Sequence, residues 1–377
     1  MEAATEETKS LLAQVSDREA FTEALDREAL RQVSQFLDGV LLYQSAKRIR
    51  SRAQAPDLAW QEGTSRLWDY GNLKSGPKSR RDRPSGRAII LIPSLINRAY
   101  ILDLHRRRSL ARYLTSKGFR IFLMDWDRPG KTEADFGLTD YIDGRLQSAF
   151  EAVRRISGDS KPGVIGYCMG GLLALALATA RPGDVGALAL LATPWDFAAD
   201  ADQRRRHLSA LMPSLDRLTD ALGLLPVEVL QSLFASLDPF YAVRKFQAFA
   251  RARPTSRGTK EFLALEDWLN DGVPLSRPVM RECFHGWYLD NDPLRLNWKV
   301  AGQTVDPARY TGPSLVLVPD ADRIVCPASA LALGPKLPNG RMRTVRAGHI
   351  GMIAGSGAGR RVYAPLARWL KTTLSAH

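Results

Sequence analysis

Cys168 stands in the run Gly163-Val164-Ile165-Gly166-Tyr167-Cys168-Met169-Gly170-Gly171, directly ahead of the Ala/Leu-rich Leu172-Leu173-Ala174-Leu175-Ala176-Leu177. This reads as a buried strand, a tight turn and a buried helix. The pattern is Gly-x-Cys-x-Gly, a nucleophile elbow with cysteine in the serine position. The glycines let strand and helix approach closely around a strained turn. The thiol would project at the sheet edge, just ahead of a helix N-terminus whose partial positive charge favours thiolate. A structural cysteine packed in an apolar turn is the alternative, since free cysteine is among the most buried residue types.

A nucleophile needs a base and a group to orient that base. In an elbow architecture the chain order is nucleophile, acid, histidine, each on a loop leaving the C-terminal end of a strand. Cys168, Asp322 and His349 satisfy that order. Of the five histidines, His105 and His207 lie in arginine-rich stretches and His377 is the last residue. His285, in a helical insertion, is the competitor. Asp320 competes with Asp322 for the acid role. Asp322 is favoured because Asp322-Arg323-Ile324-Val325-Cys326-Pro327 carries the Asp-x-Ile-Val-x-Pro flavour usual after such a strand. The oxyanion hole would use the backbone N–H of Met169 and one from the loop after the first buried strand, with Leu95 as the second donor.

The elements that must hold these residues follow from periodicity. Residues 1–85 read as a polar helical segment in which Phe21, Leu25, Leu30, Val33, Phe36, Leu37, Val40 and Leu41 recur at helical spacing. Packing of that helix on the body is the common outcome. Lys74 to Ser85, with two prolines and several basic residues, reads as an exposed connection. Over 86–195 buried strands (Ala88 to Ile92, Arg120 to Asp125, Gly163 to Gly166, Ala187 to Leu191) alternate with helices near Ser109 to Lys117 and Asp140 to Ile156. The second helix has Thr139 as its expected cap. Residues 196–300, tryptophan-bearing and broken by prolines, read as an inserted helical cap. Over 301–377 the strands resume at Ser314 to Val318 and Arg343 to Val345, and a helix with Val362, Leu366, Trp369 and Leu370 closes the chain. This order argues for an α/β chain with a doubly wound, mostly parallel sheet.

With 377 residues, 45% of them hydrophobic, the chain can bury a full core. Three scattered cysteines (Cys168, Cys283, Cys326) make neither a metal-type spacing nor a disulfide framework, which suits a reducing cytosol. The N-terminus lacks the basic and apolar regions of a signal peptide, and no run reads as a membrane span. A cytoplasmic protein is expected, without metal or bound cofactor. The formal net charge is +13, with basic clusters at Lys47 to Arg50, Lys78 to Arg83, Arg106 to Arg108 and Arg204 to Arg206. Such runs are most often solvated faces. The functional readings are attraction to an anionic substrate or an anionic surface. Nucleic acid is a poor fit, because aromatic residues do not interleave with the clusters and no DNA-binding motif appears.

Several further segments carry a resemblance. Ile96-Asn97-Arg98-Ala99-Tyr100-Ile101-Leu102-Asp103-Leu104 is similar to the Ile-Asn-Lys-x-Tyr-Ile-Leu-Asp-Leu segment of polyhydroxyalkanoate synthases. Asp125-Trp126-Asp127-Arg128-Pro129 resembles the Asp-Trp-Gly-x-Pro of their short, class III form, with Asp127 where glycine is common. Gly166-Tyr167-Cys168-Met169-Gly170-Gly171 matches that family's Gly-x-Cys-x-Gly-Gly box. Tyr288 to Asn291, Val305-Asp306, Asp322 and Gly348-His349-Ile350-Gly351 follow at family-like intervals. The resemblance covers roughly residues 85 to 375.

It implies the α/β-hydrolase fold with an inserted helical cap and a Cys168, Asp322, His349 triad. The implied activity is polymerisation of 3-hydroxyacyl-CoA into polyhydroxyalkanoate through a Cys-bound acyl thioester. CoA enters as part of the substrate, so no cofactor is needed. The implied partners are a second synthase subunit, a second copy in a homodimer and a polyester granule surface. The alternative activity is a Cys-His-Asp hydrolase acting as thioesterase, esterase or polyester depolymerase. A non-catalytic, granule-associated or scaffolding chain is the third reading.

Overall fold

The computed structural model describes residues 6, 12, 15–46, 55–71, 86–199, 202–252 and 256–375. The connection expected over Lys74 to Ser85 lies outside the described residues, as do the basic clusters at 47–50 and 78–83. The chain forms two compact units, one of residues 1–50 with 238–263, the other of 51–237 with 264–377.

The smaller unit is built on α1 (Arg18–Ser45), started by the Asp17 carboxylate, which accepts from Ala20 N at 2.9 Å. Its partner is the helix Tyr241–Ala250. Phe36 and Tyr43 meet Phe246 edge-on at ring distances of 6.0 and 5.9 Å. Phe262 stacks on Phe249 at 4.1 Å. Gly39 lies between the two ring contacts, so close to the partner that a Cβ there would fall 2.1 Å from Phe246 O. The periodic apolar set was therefore only partly a packing face: Leu25, Leu30, Val33, Leu37 and Leu41 remain exposed.

The larger unit begins with a correction to the helical reading of residues 1–85. Asp57–Glu62 (β1) and Ser65–Asp69 (β2) are strands that join the main sheet. In β2, Ser65, Leu67 and Asp69 are buried while Arg66 and Trp68 on the other face are half-buried, a period of two too short and too polar to stand out. Gly63, at φ +57°, makes the turn between the strands.

The chain then runs β3 (Ala88–Ile92), α2 (Leu110–Ser116), β4 (Arg120–Asp125), α3 (Gln147–Ser157), β5 (Gly163–Tyr167), α4 (Met169–Ala180), β6 (Ala187–Leu191), β7 (Ser314–Pro319) and β8 (Gly340–Val345). The sheet order is β1-β2-β4-β3-β5-β6-β7-β8, parallel from β4 onward. Alternate residues of β3 feed the two cores: Ile90 and Ile92 one face, Ile89 and Leu91 the other. The chain winds from β3 outward to β4, then crosses back to β5 on the other side of β3. Such a switch point opens a crevice at the carboxyl ends of β3 and β5.

Thr139 does not cap a helix. Asp140–Leu146 is a wide, π-type turn in which Thr139 is already helical, and the Thr139 hydroxyl accepts instead from Ala301 N at 3.3 Å. Ile142, Leu146, Phe150 and Val153 are all buried, as the periodicity requires. The insertion between β6 and β7 does carry helices, among them Val227–Ala235 and Arg277–Arg281. Residues 238–263 of it belong to the smaller unit, so the insertion is not one body. Trp195, Trp287 and Trp298 are buried in the core cluster that also holds Met169. Among the described residues, no helix is long and apolar enough to cross a membrane.

Candidate active site

The elbow is built at the end of β5. Cys168 has φ +56° and ψ −128°, a conformation that L side chains rarely adopt and that costs about 1–3 kcal/mol. Neighbouring contacts impose it. Cys168 N donates to Leu191 O at 2.8 Å, and Gly171 N donates to Cys168 O at 2.9 Å. A Cβ on Gly166 would sit 2.4 Å from Gly170 O, and one on Gly171 would sit 1.8 Å from Thr193 Oγ1. The glycines of the motif thus permit the close approach of backbone and neighbours that holds Cys168 strained.

His349 reaches Cys168 from the loop after β8. Its Nδ1 bonds Asp322 Oδ2 at 2.7 Å, and the imidazole is near enough to Cys168 to feel its charge. Asp322 is fully buried in the loop after β7. Its other oxygen accepts from Ile324 N and Val325 N, both at 2.9 Å. Burial works against a charged imidazole, yet the Cys168 charge and the hydrogen bond to Asp322 outweigh it and raise His349 to about 10.

The two aspartates are separated by geometry. Asp320 Oδ1 accepts from Ala347 N at 3.1 Å, and Ala321 N donates to Ala347 O at 3.1 Å. Asp320 therefore braces the two loops that carry Asp322 and His349, while Asp322 holds the imidazole. His285 is elsewhere: its Nε2 meets Asp216 Oδ2 at 3.2 Å within an ion-pair group that includes Arg281. Cys283 is buried, which pushes its thiol up, and Cys326 is half-buried ahead of the short helix Pro327–Leu331.

Met169 is the first residue of α4, where backbone N–H groups have no partner within the helix. Leu95 is buried in the turn after β3. That turn is pressed against the elbow: a Cβ on Gly170 would lie 2.2 Å from Ile92 O and 2.6 Å from Pro93 O. Trp126 Nε1 donates to Pro93 O at 3.0 Å and holds it from the other side. The backbone thus brings the segments of Met169 and Leu95 together beside Cys168.

Tyr167 was not singled out in the sequence. Its buried hydroxyl donates to His349 O at 3.1 Å and its ring lies 5.2 Å from the imidazole. Burial pushes this phenol far above its ordinary range, so it stays a donor. Nothing but its place inside the elbow signals this. Asp127 was visible as the departure from glycine, and the reason now appears. Its φ is +56°, which glycine takes freely and aspartate tolerates. Its carboxylate is held by Arg66 at 2.8 Å and by Arg98. Of the Arg106 to Arg108 cluster, Arg106 and Arg107 are exposed but Arg108 is buried.

Comparison with known proteins places these features in context. The pattern of the alpha/beta hydrolase fold matches residues 87–356. A poly(3-hydroxyalkanoate) polymerase subunit of Haloarcula marismortui is 26% identical over 83% of this chain and 66% of its own length. Counterparts from Synechocystis sp. and Allochromatium vinosum are each 28% identical over 77% of this chain, and over 79% and 84% of their own. The chain thus spans just under two thirds of the haloarchaeal relative. Among solved structures, a carboxylesterase of Nitrososphaera gargenis superposes with a TM-score of 0.51 at 16% identity, covering 83% of this chain and 97% of that one. At that identity the likeness is one of fold.

Proposed function

The chain belongs to the alpha/beta hydrolase fold family and, within it, to the polyhydroxyalkanoate synthases, and from that premise we propose that it is an acyltransferase that polymerises 3-hydroxyacyl-CoA through an acyl thioester on Cys168. The observation that carries the reading is the His349 imidazole, held by the caged Asp322 carboxylate and electrostatically coupled to Cys168 on the strained elbow. His349 takes the Cys168 proton, and the thiolate attacks the thioester carbonyl. The oxyanion so formed is met by the N–H groups of Met169 and Leu95. Collapse expels CoA, which recovers the proton from His349, and leaves acyl-Cys168. His349 then takes the proton of a 3-hydroxyl, whose oxygen attacks that thioester. An oxyester forms and the thiol is regenerated. Each general-base step is typically worth about 10²- to 10⁴-fold.

Cysteine suits this sequence of bonds. Thioester-to-thioester transfer costs little free energy, and the downhill step is kept for making the oxyester. On the same reading the enzyme works in the cytoplasm at the surface of polyester granules, as a homodimer or with a second synthase subunit. The test is a product assay with purified chain and 3-hydroxybutyryl-CoA, run alone and with a candidate second subunit. CoA release with insoluble polyester is expected, and Cys168→Ala should release no CoA above background. Free 3-hydroxybutyrate as the sole product would replace the polymerase by a hydrolase.

A further inference from the structure

The turn carrying Leu95 is tied to a segment far along the sequence. Val273 N donates to Ile96 O at 3.2 Å, and Asn97 pairs with Gly272 in an antiparallel bridge. Trp268 Nε1 donates to Arg98 O at 2.8 Å. Arg98 Nε reaches Asp271 Oδ1 at 3.0 Å, and Tyr100 Oη donates to Asp271 Oδ2 at 3.3 Å. The same guanidinium pairs with Asp127, which Arg66 holds in turn. One mostly buried cation therefore joins the turn after β3, the turn after β4 and residue 271 of the insertion.

Leu95 lies three residues before Arg98, with Pro93 pinned by Trp126 on its other side. A loop fixed at both ends presents its N–H groups without reorganisation during reaction, which is what an oxyanion hole needs. A planar guanidinium presents donors to two carboxylates at once, whereas an ammonium is a single point charge. Asp127 supplies the second carboxylate.

We propose that Arg98 and Asp271 are positioning residues for acylation: together they fix the turn that offers the Leu95 N–H to the oxyanion. The segment Trp268–Val273 is thus part of the acylation machinery rather than a passive cover. The inference rests on Cys168 as nucleophile, and its test does not require polymer.

The experiment compares the p-nitrophenolate burst from p-nitrophenyl acetate with the rate at which iodoacetamide alkylates Cys168. Both report the thiolate, but alkylation passes through no oxyanion. Asp271→Asn and Asp127→Gly should slow the burst about 10- to 100-fold, with KM and alkylation little changed, since a lost oxyanion donor costs about 10²- to 10³-fold and a displaced one less. Arg98→Lys should recover part of what Arg98→Ala loses. If burst and alkylation fall together, the tie is a general brace and the proposal is overturned. An unchanged burst in Asp271→Asn overturns it too, as does a wild-type chain without a burst. A wild-type burst followed by free acid from 3-hydroxybutyryl-CoA would remove the polymerase and leave this proposal standing.

Discussion

Burial disfavours a charged imidazole at His349, yet the neighbouring Cys168 and the Asp322 carboxylate outweigh it and keep its proton on well past the ordinary range. That coupling has a consequence for stability. The folded-state value, about 10, lies above the ordinary 6.5 of an unfolded chain. The contribution is therefore fully present below pH 6.5 and is lost as the pH rises through about 10. The melting temperature of His349→Gln, followed against wild type, should lag most near pH 6 and converge toward pH 10. A gap that stays constant over that range would mean the imidazole is not held charged. Cys168, Asp322 and His349 were legible in sequence as a set because each follows a strand in a fixed chain order and the elbow demands glycines. Tyr167 was not, since an aromatic residue at the end of a buried strand looks like core. Its hydrogen bond to the His349 carbonyl depends on where β8 ends, which local spacing does not encode.

At the scale of elements, most strands that announced themselves were those buried on both faces, while the largely exposed β8 was read only over its last three residues. β3, β5 and β6 are continuous apolar runs, and such runs need no partner to be recognised. β1 and β2 were hidden because only alternate residues of β2 are fully buried and β1 is mostly exposed. The wide turn of Asp140–Leu146 was equally silent, since its buried residues keep a helical period while its hydrogen bonds do not. In α1, periodicity found the helix but not its contact face. That face is organised by Gly39, where the absent side chain lets Phe246 approach. Gly39→Ala would place a methyl against a carbonyl that cannot rotate away, and such overpacking costs about 1–3 kcal/mol. Amide hydrogen exchange in α1 and in the helix Tyr241–Ala250 should quicken while β5 stays protected. Unchanged exchange in α1 would show that the two helices are held by something other than this contact.

At the scale of the whole molecule, charge is the property that composition fixes and local geometry does not cancel. Many arginines are spent internally: Arg98 on Asp127 and Asp271, Arg112 on Asp103, and Arg120 on Asp69. Such pairs brace loops and strands, yet they cannot absorb the excess, because the chain carries 53 lysines and arginines against 40 acids. The surplus gives the whole molecule a net positive charge, and its proposed substrate carries phosphates. The field of such a charge raises encounter rates with anions and does nothing for the chemistry after binding. Raising salt from about 0.01 M to about 0.1 M shortens the Debye length from about 30 Å to about 10 Å. Over that range kcat/KM for 3-hydroxybutyryl-CoA should fall several-fold, about what screening of a steered encounter allows, while kcat holds. An uncharged p-nitrophenyl ester, acylating the same Cys168, should show no such fall. If both substrates respond alike, salt is acting on the protein rather than on the encounter, and the basic surplus is only a solvated surface.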